Sequence, residues 1–233
     1  MNKSTVLFSG GLDSTTALYW ALNYYQKVHA LTFDYGQRHR LEISAARRIA
    51  AKLDVPHEIL RVDLSQIGGS SLTDSSIPLP HASLVEKKKK RHGPPSTYVP
   101  FRNGIFLALA TAWAEVNEIR DIICGFNVID SPDYPDTSRE FTEAMEKAIN
   151  TGTKAIFTGE RITIITPFVK LKKSEIIKQG LALGADYSYA ISCYSGREIP
   201  CLECTSCLLR KKAWDEIGIK DHLLERLRRE GKI

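Results

Sequence analysis

Short apolar runs alternate with longer amphipathic stretches through most of the chain. The runs are rich in Val, Ile, Leu and Phe and predict five strands, at residues 6–8, 28–33, 57–62, 121–125 and 162–166. Apolar positions that recur every three or four residues predict helices, from about residue 13 and over 38–53, 101–117, 138–150 and 173–183. Alternating strands and helices imply right-handed βαβ units. The fold class that follows is α/β, a doubly wound parallel sheet with its ligand site beyond the carboxyl ends of the strands.

Residues 63–98 break this alternation. They contain Gly68 to Ser71, several prolines and the basic run Lys87–Arg91. A loop of this length inside a compact domain is usually functional or disordered. The basic run is either a solvated segment or a lid that neutralises a nucleotide or contacts nucleic acid. No aromatic residue interleaves the lysines, which weakens the case for single-stranded nucleic acid.

Composition narrows the class of protein. The chain has 233 residues, 43% of them hydrophobic and 25% charged, which is ordinary for a soluble globular protein of one large domain or one domain with an appendage. No apolar run approaches the roughly 18 residues of a membrane span, and the N-terminus does not resemble a signal peptide. We therefore expect a cytoplasmic protein without membrane contact. The net charge of +5 suits an enzyme that handles ATP and an anionic substrate, and does not demand nucleic acid.

The segment Ser9–Ser14, with the sequence SGGLDS, lies between the first strand and the first helix. Its glycines allow a phosphate to approach the backbone closely, and the unpaired N–H groups at a helix N-terminus bind anions. It is not a Walker A loop, because Gly-Lys-Ser/Thr is absent. The plain alternative is a strand–turn–helix with a serine cap. We interpret it as a phosphate loop, with the hydroxyls of Ser9, Ser14 and Thr15 assisting the backbone.

Four cysteines form a second motif, with the spacing Cys193-x7-Cys201-x2-Cys204-x2-Cys207. Four thiolates in so short a stretch can surround one ion, and closed four-cysteine sites are structural zinc sites. An iron–sulfur cluster is the rival interpretation, and disulfides are the third in a reducing cytosol. Cys124 lies on an apolar strand and is interpreted as a buried, inert thiol.

With the phosphate loop at one end and the cysteines at the other, the chain resembles the 7-cyano-7-deazaguanine synthase (QueC) family of the PP-loop ATP pyrophosphatase superfamily. The matching segments lie in order along the chain, at residues 8–16, 33–39, 96–100, 102–103, 134–136, 166–167, 173 and 192–194. The phosphate loop alone indicates the superfamily, whereas the FDYGQRH block and the cysteine spacing discriminate the family. The chain departs from the family at Phe101, where many members have Gly, at 131–133 and at Thr137, which affects the shape of the substrate pocket rather than the reaction.

The resemblance implies an ATP-dependent ligase that converts 7-carboxy-7-deazaguanine and ammonia to 7-cyano-7-deazaguanine. The route passes through an adenylated acid, an amide and an adenylated amide, and both activations release AMP and pyrophosphate. ATP, magnesium and one structural zinc per chain are the expected cofactors, free ammonia is the expected donor because no length remains for a glutaminase domain, and a homodimer is expected. We expect a Rossmann-like PP-loop domain at residues 1–187, of the adenine nucleotide alpha hydrolase type, and a four-cysteine zinc module at 188–233.

Roles follow for individual residues. The expected catalytic residues are Asp13, Ser14, Arg102 and Lys173, with Lys173 neutralising the transferred phosphate and Asp13 either positioning magnesium or fixing the loop backbone. The ATP-binding candidates are Phe8, Ser9, Gly10, Gly11, Leu12, Asp13, Ser14, Thr15, Thr16, Asp34 and Gln37. Asp34 ends the second strand, where nucleotide-binding folds often contact ribose or base, although a simple turn residue is an equal alternative. Lys170 and Lys172 are interpreted as facing solvent.

The expected substrate-binding residues are Tyr35, His39, Asn103, Asp133, Tyr134 and Asp136. The loop at 133–136 is assigned to the deazaguanine, because one carboxylate can accept the ring N1–H and the exocyclic amine together while a tyrosine stacks on the ring. Two rival functions remain at this point. A PP-loop tRNA-modifying sulfurtransferase predicts iron and tRNA-dependent ATP use, and a nucleotide-binding regulator predicts ATP binding without pyrophosphate release.

Overall fold

The computed structural model describes residues 2–80, 93–130 and 132–233, so the basic run Lys87–Arg91 and Ser131 lie outside the described residues. Five strands form one sheet, in the order β3-β2-β1-β4-β5, and every neighbouring pair is parallel. Their bounds are β1 Lys3–Leu7, β2 Lys27–Asp34, β3 His57–Arg61, β4 Asp121–Cys124 and β5 Thr163–Ile165. The parallel α/β sheet predicted from the alternating pattern is confirmed.

Helices fill the connections between the strands. Their bounds are α1 Leu12–Tyr24, α2 Leu41–Lys52, α3 Arg102–Val116, α4 Arg139–Gly152, α5 Ala155–Thr158, α6 Lys173–Ala182, α7 Thr205–Ile217 and α8 His222–Arg229. The predicted helix at 38–53 begins later, at Leu41, and the other predicted helices are found within two residues of their expected ends. A 3-10 turn at Pro135–Thr137 precedes α4. Within the part of the chain described, no helix combines the length and apolar character that crossing a bilayer requires.

Two apolar cores cover the two faces of the sheet, because side chains alternate along each strand. One core holds Val6 and Ile123 under α1, α2, α6 and α7, and the other holds Ile122 and Leu31 under α3 and α4. Trp214 on α7 is 2% exposed and packs in the first core. The helix α7 near the C-terminus therefore contributes to the core.

The long segment after β3 is partly anchored where the structure describes it. The Ser71 N–H donates to the Ser96 carbonyl at 2.7 Å, and the Arg38 N–H donates to the Leu72 carbonyl at 3.0 Å. Leu72 and Val99 are buried in the second core. These contacts hold the two described ends of the segment against the sheet, beside the carboxyl ends of the strands.

The chain order reverses between β1 and β4, which are neighbours in the sheet although β2 and β3 lie between them in sequence. Such a switch point opens a crevice beyond the strand ends, where open α/β sheets bind ligands. The loops that follow β1 and β4 flank this crevice. It is the position that the sequence pattern predicted for the phosphate loop.

Candidate active site

The phosphate loop is shaped by two close contacts of glycine backbone. Gly10 has φ of +79°, and a Cβ there would lie 2.7 Å from the Ala46 nitrogen on α2, so only glycine fits this position. A Cβ on Gly125, just after β4, would lie 2.8 Å from the Asp13 carbonyl oxygen. Both contacts press neighbouring elements against the loop. The segment between β1 and α1 is therefore fixed before any ligand enters.

The start of α1 offers its donors to an anion. Gly11 is the N-cap and no side chain caps the helix there, so the first-turn N–H groups face the crevice. The Ser9 and Ser14 hydroxyl oxygens lie 3.1 Å apart, and the Ser14 hydroxyl donates to the Gly11 carbonyl at 3.2 Å. These weak local bonds hold the hydroxyls beside the position that a phosphate would occupy.

Asp13 pairs with a lysine at the start of α6, the helix that packs against α1 on the same face of the sheet. The Lys173 Nζ donates to its two carboxylate oxygens at 2.6 and 2.8 Å. The Lys173 backbone N–H, at the start of α6, donates to the Asp130 carboxylate at 2.5 Å, and Asn127 donates to the same carboxylate at 3.2 Å. Sequence reasoning placed the segment 127–136 near the ligand site but gave Asn127 and Asp130 no role. They fix the start of α6 and so direct Lys173 toward the phosphate loop.

A cavity of about 330 Å³ runs from this loop past the ends of β2 and β4 to Tyr134. Most of the residues proposed from sequence line it. They are Phe8, Ser9, Gly11, Leu12, Asp13, Ser14, Tyr35, Gln37, His39, Arg102, Asn103, Tyr134 and Lys173.

The other candidates lie outside the lining. They are Gly10, Thr15, Thr16, Asp34, Asp133 and Asp136. Thr16 is fully buried, and its hydroxyl lies 2.6 Å from the Tyr187 hydroxyl in the core. Asp34 is half-buried at the end of β2 and Asp133 is exposed. Lys170 and Lys172 are exposed, as predicted.

Two of the candidate side chains organise the backbone around the cavity. The Gln37 Oε1 accepts from the Tyr35 N–H at 2.8 Å, which closes the turn after β2. Asp136 is buried, and its Oδ2 accepts from the Asn103 N–H at 3.0 Å while the Asn103 amide donates to the Asp136 carbonyl at 3.1 Å. This reciprocal pair joins the 3-10 turn to the start of α3. It sets the position of Arg102, the residue before Asn103.

Arg102 is the second cation of the cavity. Its guanidinium lies 5.8 Å from the ring centres of both Tyr35 and Phe106, within the range of a cation–π contact. Burial raises the pKa of the Tyr35 hydroxyl, which therefore stays protonated beside the guanidinium. A guanidinium packed against aromatic rings can bind a carboxylate or a phosphate through two parallel hydrogen bonds.

The far end of the cavity contains residues that sequence reasoning missed. Thr97 bonds to the Tyr134 hydroxyl at 2.6 Å, which ties two loops together. Glu42 on α2 lies 3.3 Å from the His39 Nε2, and Tyr194 completes the wall. The i,i+3 spacing of His39 and Glu42 was a signal that could have found this pair. Thr97 and Tyr194 lay within matching segments but received no role.

The four cysteines converge at this end. Their Sγ atoms all lie within 4.8 Å of one another, with 3.5 Å between Cys193 and Cys201 and 4.0 Å between Cys201 and Cys207. A tetrahedral ion with metal–sulfur bonds of about 2.3 Å places its sulfurs about 3.8 Å apart, so the donor set fits one. The Cys201 N–H donates to the Cys193 sulfur at 3.3 Å, which favours the thiolate form.

A buried ion pair connects the cysteine segment to the phosphate loop. Arg210 on α7 donates to Asp221 at 2.5 and 2.7 Å and to the Ala190 carbonyl at 2.7 Å. The next residue, Ile191, donates its N–H to the Gly10 carbonyl at 3.0 Å. The segment that leads into the first cysteine is thus bonded to the loop at the other end of the cavity.

Comparisons with known proteins agree with this arrangement. A family model described as queuosine biosynthesis protein QueC matches residues 3–218. A 7-cyano-7-deazaguanine synthase of Aromatoleum aromaticum is 46% identical over 222 residues, covering 94% of this chain and 96% of the relative. That of Cellvibrio japonicus is 44% identical over 223 residues, with the same coverage. Among solved structures, a 4-thiouridine synthetase–RNA complex with bound ATP has a TM-score of 0.51 at 18% identity, and the match covers 93% of this chain and 50% of that one. This last likeness concerns the fold alone.

Proposed function

The chain belongs to the QueC family of queuosine biosynthesis proteins, and we propose that it uses ATP to convert 7-carboxy-7-deazaguanine and ammonia to 7-cyano-7-deazaguanine. The observation that carries the proposal is the single cavity, which joins a phosphate loop with a paired lysine to a wall of aromatic and polar groups. Both ends of an adenylation reaction, the nucleotide and its acceptor, can meet in such a space. The chain also covers nearly the whole length of relatives that carry this name.

At the phosphate end, the backbone donors of Gly11 to Ser14 bind the pyrophosphate that leaves. Donors that are fixed before reaction stabilise developing charge without reorganising, and this is usually the largest catalytic contribution. Lys173 neutralises the phosphate that is transferred to the substrate oxygen, and Asp13 holds the ammonium in place until the nucleotide arrives. Asp13 thereby orients Lys173 before the nucleotide binds, a role that adds to the two considered for it from sequence.

At the substrate end, Arg102 binds the carboxylate that is to be activated. Adenylation converts its oxygen into a good leaving group, and ammonia then displaces AMP to give the amide. The same cavity serves the second activation, in which the amide oxygen is adenylated and AMP departs as the nitrile forms. Each turnover therefore consumes two ATP. The nitrogen of ammonia gives up three protons, one when the amide forms and two when the nitrile forms, and carboxylate, imidazole, water or the released pyrophosphate accepts them.

Two metals accompany the proposal. Magnesium neutralises phosphate oxygens in reactions of this kind, and Asp13 is the carboxylate of the phosphate loop that can supply an oxygen ligand. Zinc is proposed for the four-cysteine site, because a closed tetrahedral set of thiolates leaves no position for substrate. Its function is then structural.

The sulfurtransferase alternative requires a thiol that can reach substrate. Four of the five cysteines are gathered in the cluster. The fifth, Cys124, is completely buried on β4, and burial raises the pKa of its thiol. Neither environment suits a nucleophile, so we prefer the ligase.

We also propose a homodimer in the cytoplasm, with an ATP-binding part at 1–187 and a zinc module at 188–233. The free cysteines suit a reducing compartment. Phe157 on α5 is 89% exposed, close in sequence to Ile156 at 60%, and large exposed apolar side chains are typical of contact surfaces. Light scattering on the purified chain tests the dimer directly, and metal analysis tests for one zinc per chain, which stoichiometric iron would contradict.

One incubation tests the reaction. Metal-replete protein with ATP, magnesium, ammonia and 7-carboxy-7-deazaguanine should form AMP, pyrophosphate and, by mass spectrometry, the nitrile. Omitting ammonia should stop both amide and nitrile formation. The absence of AMP and nitrile from the complete mixture would overturn the proposal, and ATP consumption that depends on tRNA would favour the sulfurtransferase.

A further inference from the structure

The carboxylates in and near the cavity differ in whether another group already bonds to them. Among the residues described, Asp13 and Glu42 are the acidic side chains of the lining. Both oxygens of Asp13 bond to Lys173. Asp133 is exposed outside the lining, and Asp136 is buried outside it and bonded to the start of α3. Among the described residues, no lysine or arginine forms an ion pair with Glu42, the other carboxylate of the lining.

Glu42 is held in one orientation. Its side chain is 19% exposed, and one oxygen lies 3.3 Å from the Nε2 of His39, whose side chain is 4% exposed. The segment after Cys193 covers the histidine, since a Cβ on Gly196 would lie 3.1 Å from the His39 Cα. The imidazole therefore has little room to move. His39 anchors one carboxylate oxygen. Because each oxygen has two lone pairs, both can still accept a hydrogen bond from a ligand.

The surroundings suit a flat ring that donates hydrogen bonds. Tyr194 lines the cavity beside this pair, with its ring 6.3 Å from that of His39, and Tyr35 lines it from the end of β2. The 2-amino-6-oxo edge of a guanine-type ring presents an N1–H and an amine N–H side by side, and a carboxylate can accept both. Hydrogen bonds to a charged acceptor are stronger than those between neutral groups.

We propose that Glu42, oriented by His39, recognises the 2-amino-6-oxo edge of the deazaguanine ring and so determines the choice of substrate. This inference rests on the proposed function and goes beyond it. It moves ring recognition from the 133–136 loop to the first turn of α2. Arg102 is then free to bind the carboxylate of the same molecule.

The test compares two ring compounds, 7-carboxy-7-deazaguanine and its analogue without the 2-amino group. The wild-type protein should prefer the first by about tenfold to a hundredfold in kcat/KM, the range for a hydrogen bond to a charged group. In Glu42→Gln one acceptor oxygen becomes a donor, so this preference should fall to about threefold or less. The KM for ATP should stay unchanged, which separates lost recognition from general damage.

Glu143→Gln provides a matched control, because Glu143 lies on α4 with its side chain 62% exposed; it should keep the wild-type preference. Should Glu42→Gln be too slow to assay, equilibrium binding of the two ring compounds to both proteins gives the same ratio without catalysis. An undiminished preference in Glu42→Gln, or its loss in Asp133→Asn instead, would overturn the inference while leaving the proposed function intact. Failure of the wild-type protein to convert 7-carboxy-7-deazaguanine would overturn both.

Discussion

The two ends of the cavity are built in different ways. The phosphate end consists mainly of one continuous segment, Ser9–Ser14, whose backbone supplies the donors and whose shape is set by glycine contacts. The substrate end is assembled from side chains that come from separate loops and helices, among them Glu42, Thr97, Arg102 and Tyr194. A site built from one continuous segment can be recognised as a sequence motif. A site assembled from distant residues exists only after the chain has folded, so no motif reveals it.

This difference teaches where single substitutions should act. At the phosphate end, the ammonium of Lys173 is the charge that neutralises the transferred phosphate, and Asp13 holds it in place. Loss of either residue should therefore affect the chemical step. At the substrate end, several weaker contacts share the recognition of one molecule, so single losses should change KM more than kcat. Substitutions at the phosphate end should therefore have the largest effects on the rate of the reaction.

Removing the charge of Lys173 should cause the largest loss. Lys173→Met should lower the rate of AMP formation by about a hundredfold to a thousandfold, the cost of removing one fixed group that stabilises transition-state charge. Asp13→Asn should have a comparable effect, because it releases the ammonium. Pyrophosphate release measures both. Lys170→Met, which alters an exposed cation, is the control, and near-normal turnover in Lys173→Met would contradict the assignment.

Metal removal should affect the substrate end first. Without an ion the four thiols lose the bonds that hold them together, and metal binding of this kind is coupled to folding. We expect affinity for the ring compound to fall by about tenfold or more and the midpoint of thermal unfolding to fall with it. Calorimetry with each ligand separately measures this contrast. Cys124→Ala is the control and should retain the metal. If metal removal lowered the affinities for ATP and for the ring compound equally, the two ends of the cavity would not differ in the way described.

A single hydroxyl should have a smaller effect. Tyr134→Phe removes the bond to Thr97 at 2.6 Å, and a typical hydrogen bond contributes about 0.5–1.5 kcal/mol. The KM for the ring compound should therefore rise by about twofold to tenfold, with no change in the KM for ATP. Steady-state kinetics in both substrates is the measurement. Tyr98→Phe removes a neighbouring hydroxyl that bonds to the Phe101 N–H, and a similar rise there would assign the effect to loop packing.

The smallest effect should be a pH dependence of stability at the substrate end. Burial opposes the charged form of His39, but the Glu42 carboxylate prevails and raises its pKa above the usual 6.5. A raised folded pKa contributes stability that is fully present below pH 6.5 and is lost as the pH rises through the folded value. In urea titrations, the free energy of unfolding of the wild-type protein should therefore decrease between pH 6 and pH 9 and approach that of His39→Gln. Parallel pH profiles would exclude this linkage.

The sequence identified most of the fold and the phosphate end, because both depend on local patterns. Alternating strands and helices need only the hydrophobic period, and the loop SGGLDS carries its own geometry in its glycines. The partnership of Asp13 with Lys173 was not foreseen, although each residue was proposed for the site. Residues so far apart in sequence meet because α6, which begins at Lys173, packs against α1, which carries Asp13.

The substrate end could not be read in the same way. Asp133, Tyr134 and Asp136 were grouped because they share one loop, but a loop of that length presents its side chains in different directions: one is exposed, one lines the cavity and one is buried. Glu42 was missed for the opposite reason. It looks like an ordinary polar position in an amphipathic helix until the fold brings the cavity against the first turn of α2.

Phe101, which departs from the family pattern, has a backbone conformation that is unusual for a residue other than glycine. Its φ is +53°, in the left-handed region that favours glycine, and it stands where many family members were expected to have Gly. Its ring lies over Gly104, where an added Cβ would approach it to 2.4 Å, and meets Phe141 edge to face. The left-handed conformation costs about 1–2 kcal/mol, and contacts with these two residues favour this position of the ring.

The bond from Ile191 to Gly10 has a consequence for the order in which the protein is made. The phosphate loop is translated at the start, and the first βαβ units can fold while the rest is still on the ribosome. The segment at Ile191 that bonds to the loop is translated much later. The Arg210–Asp221 pair, which holds this segment in place, is translated near the end. A nascent chain halted before Asp221 would carry the loop without its anchor, so firm nucleotide binding should arise only after synthesis has passed that point.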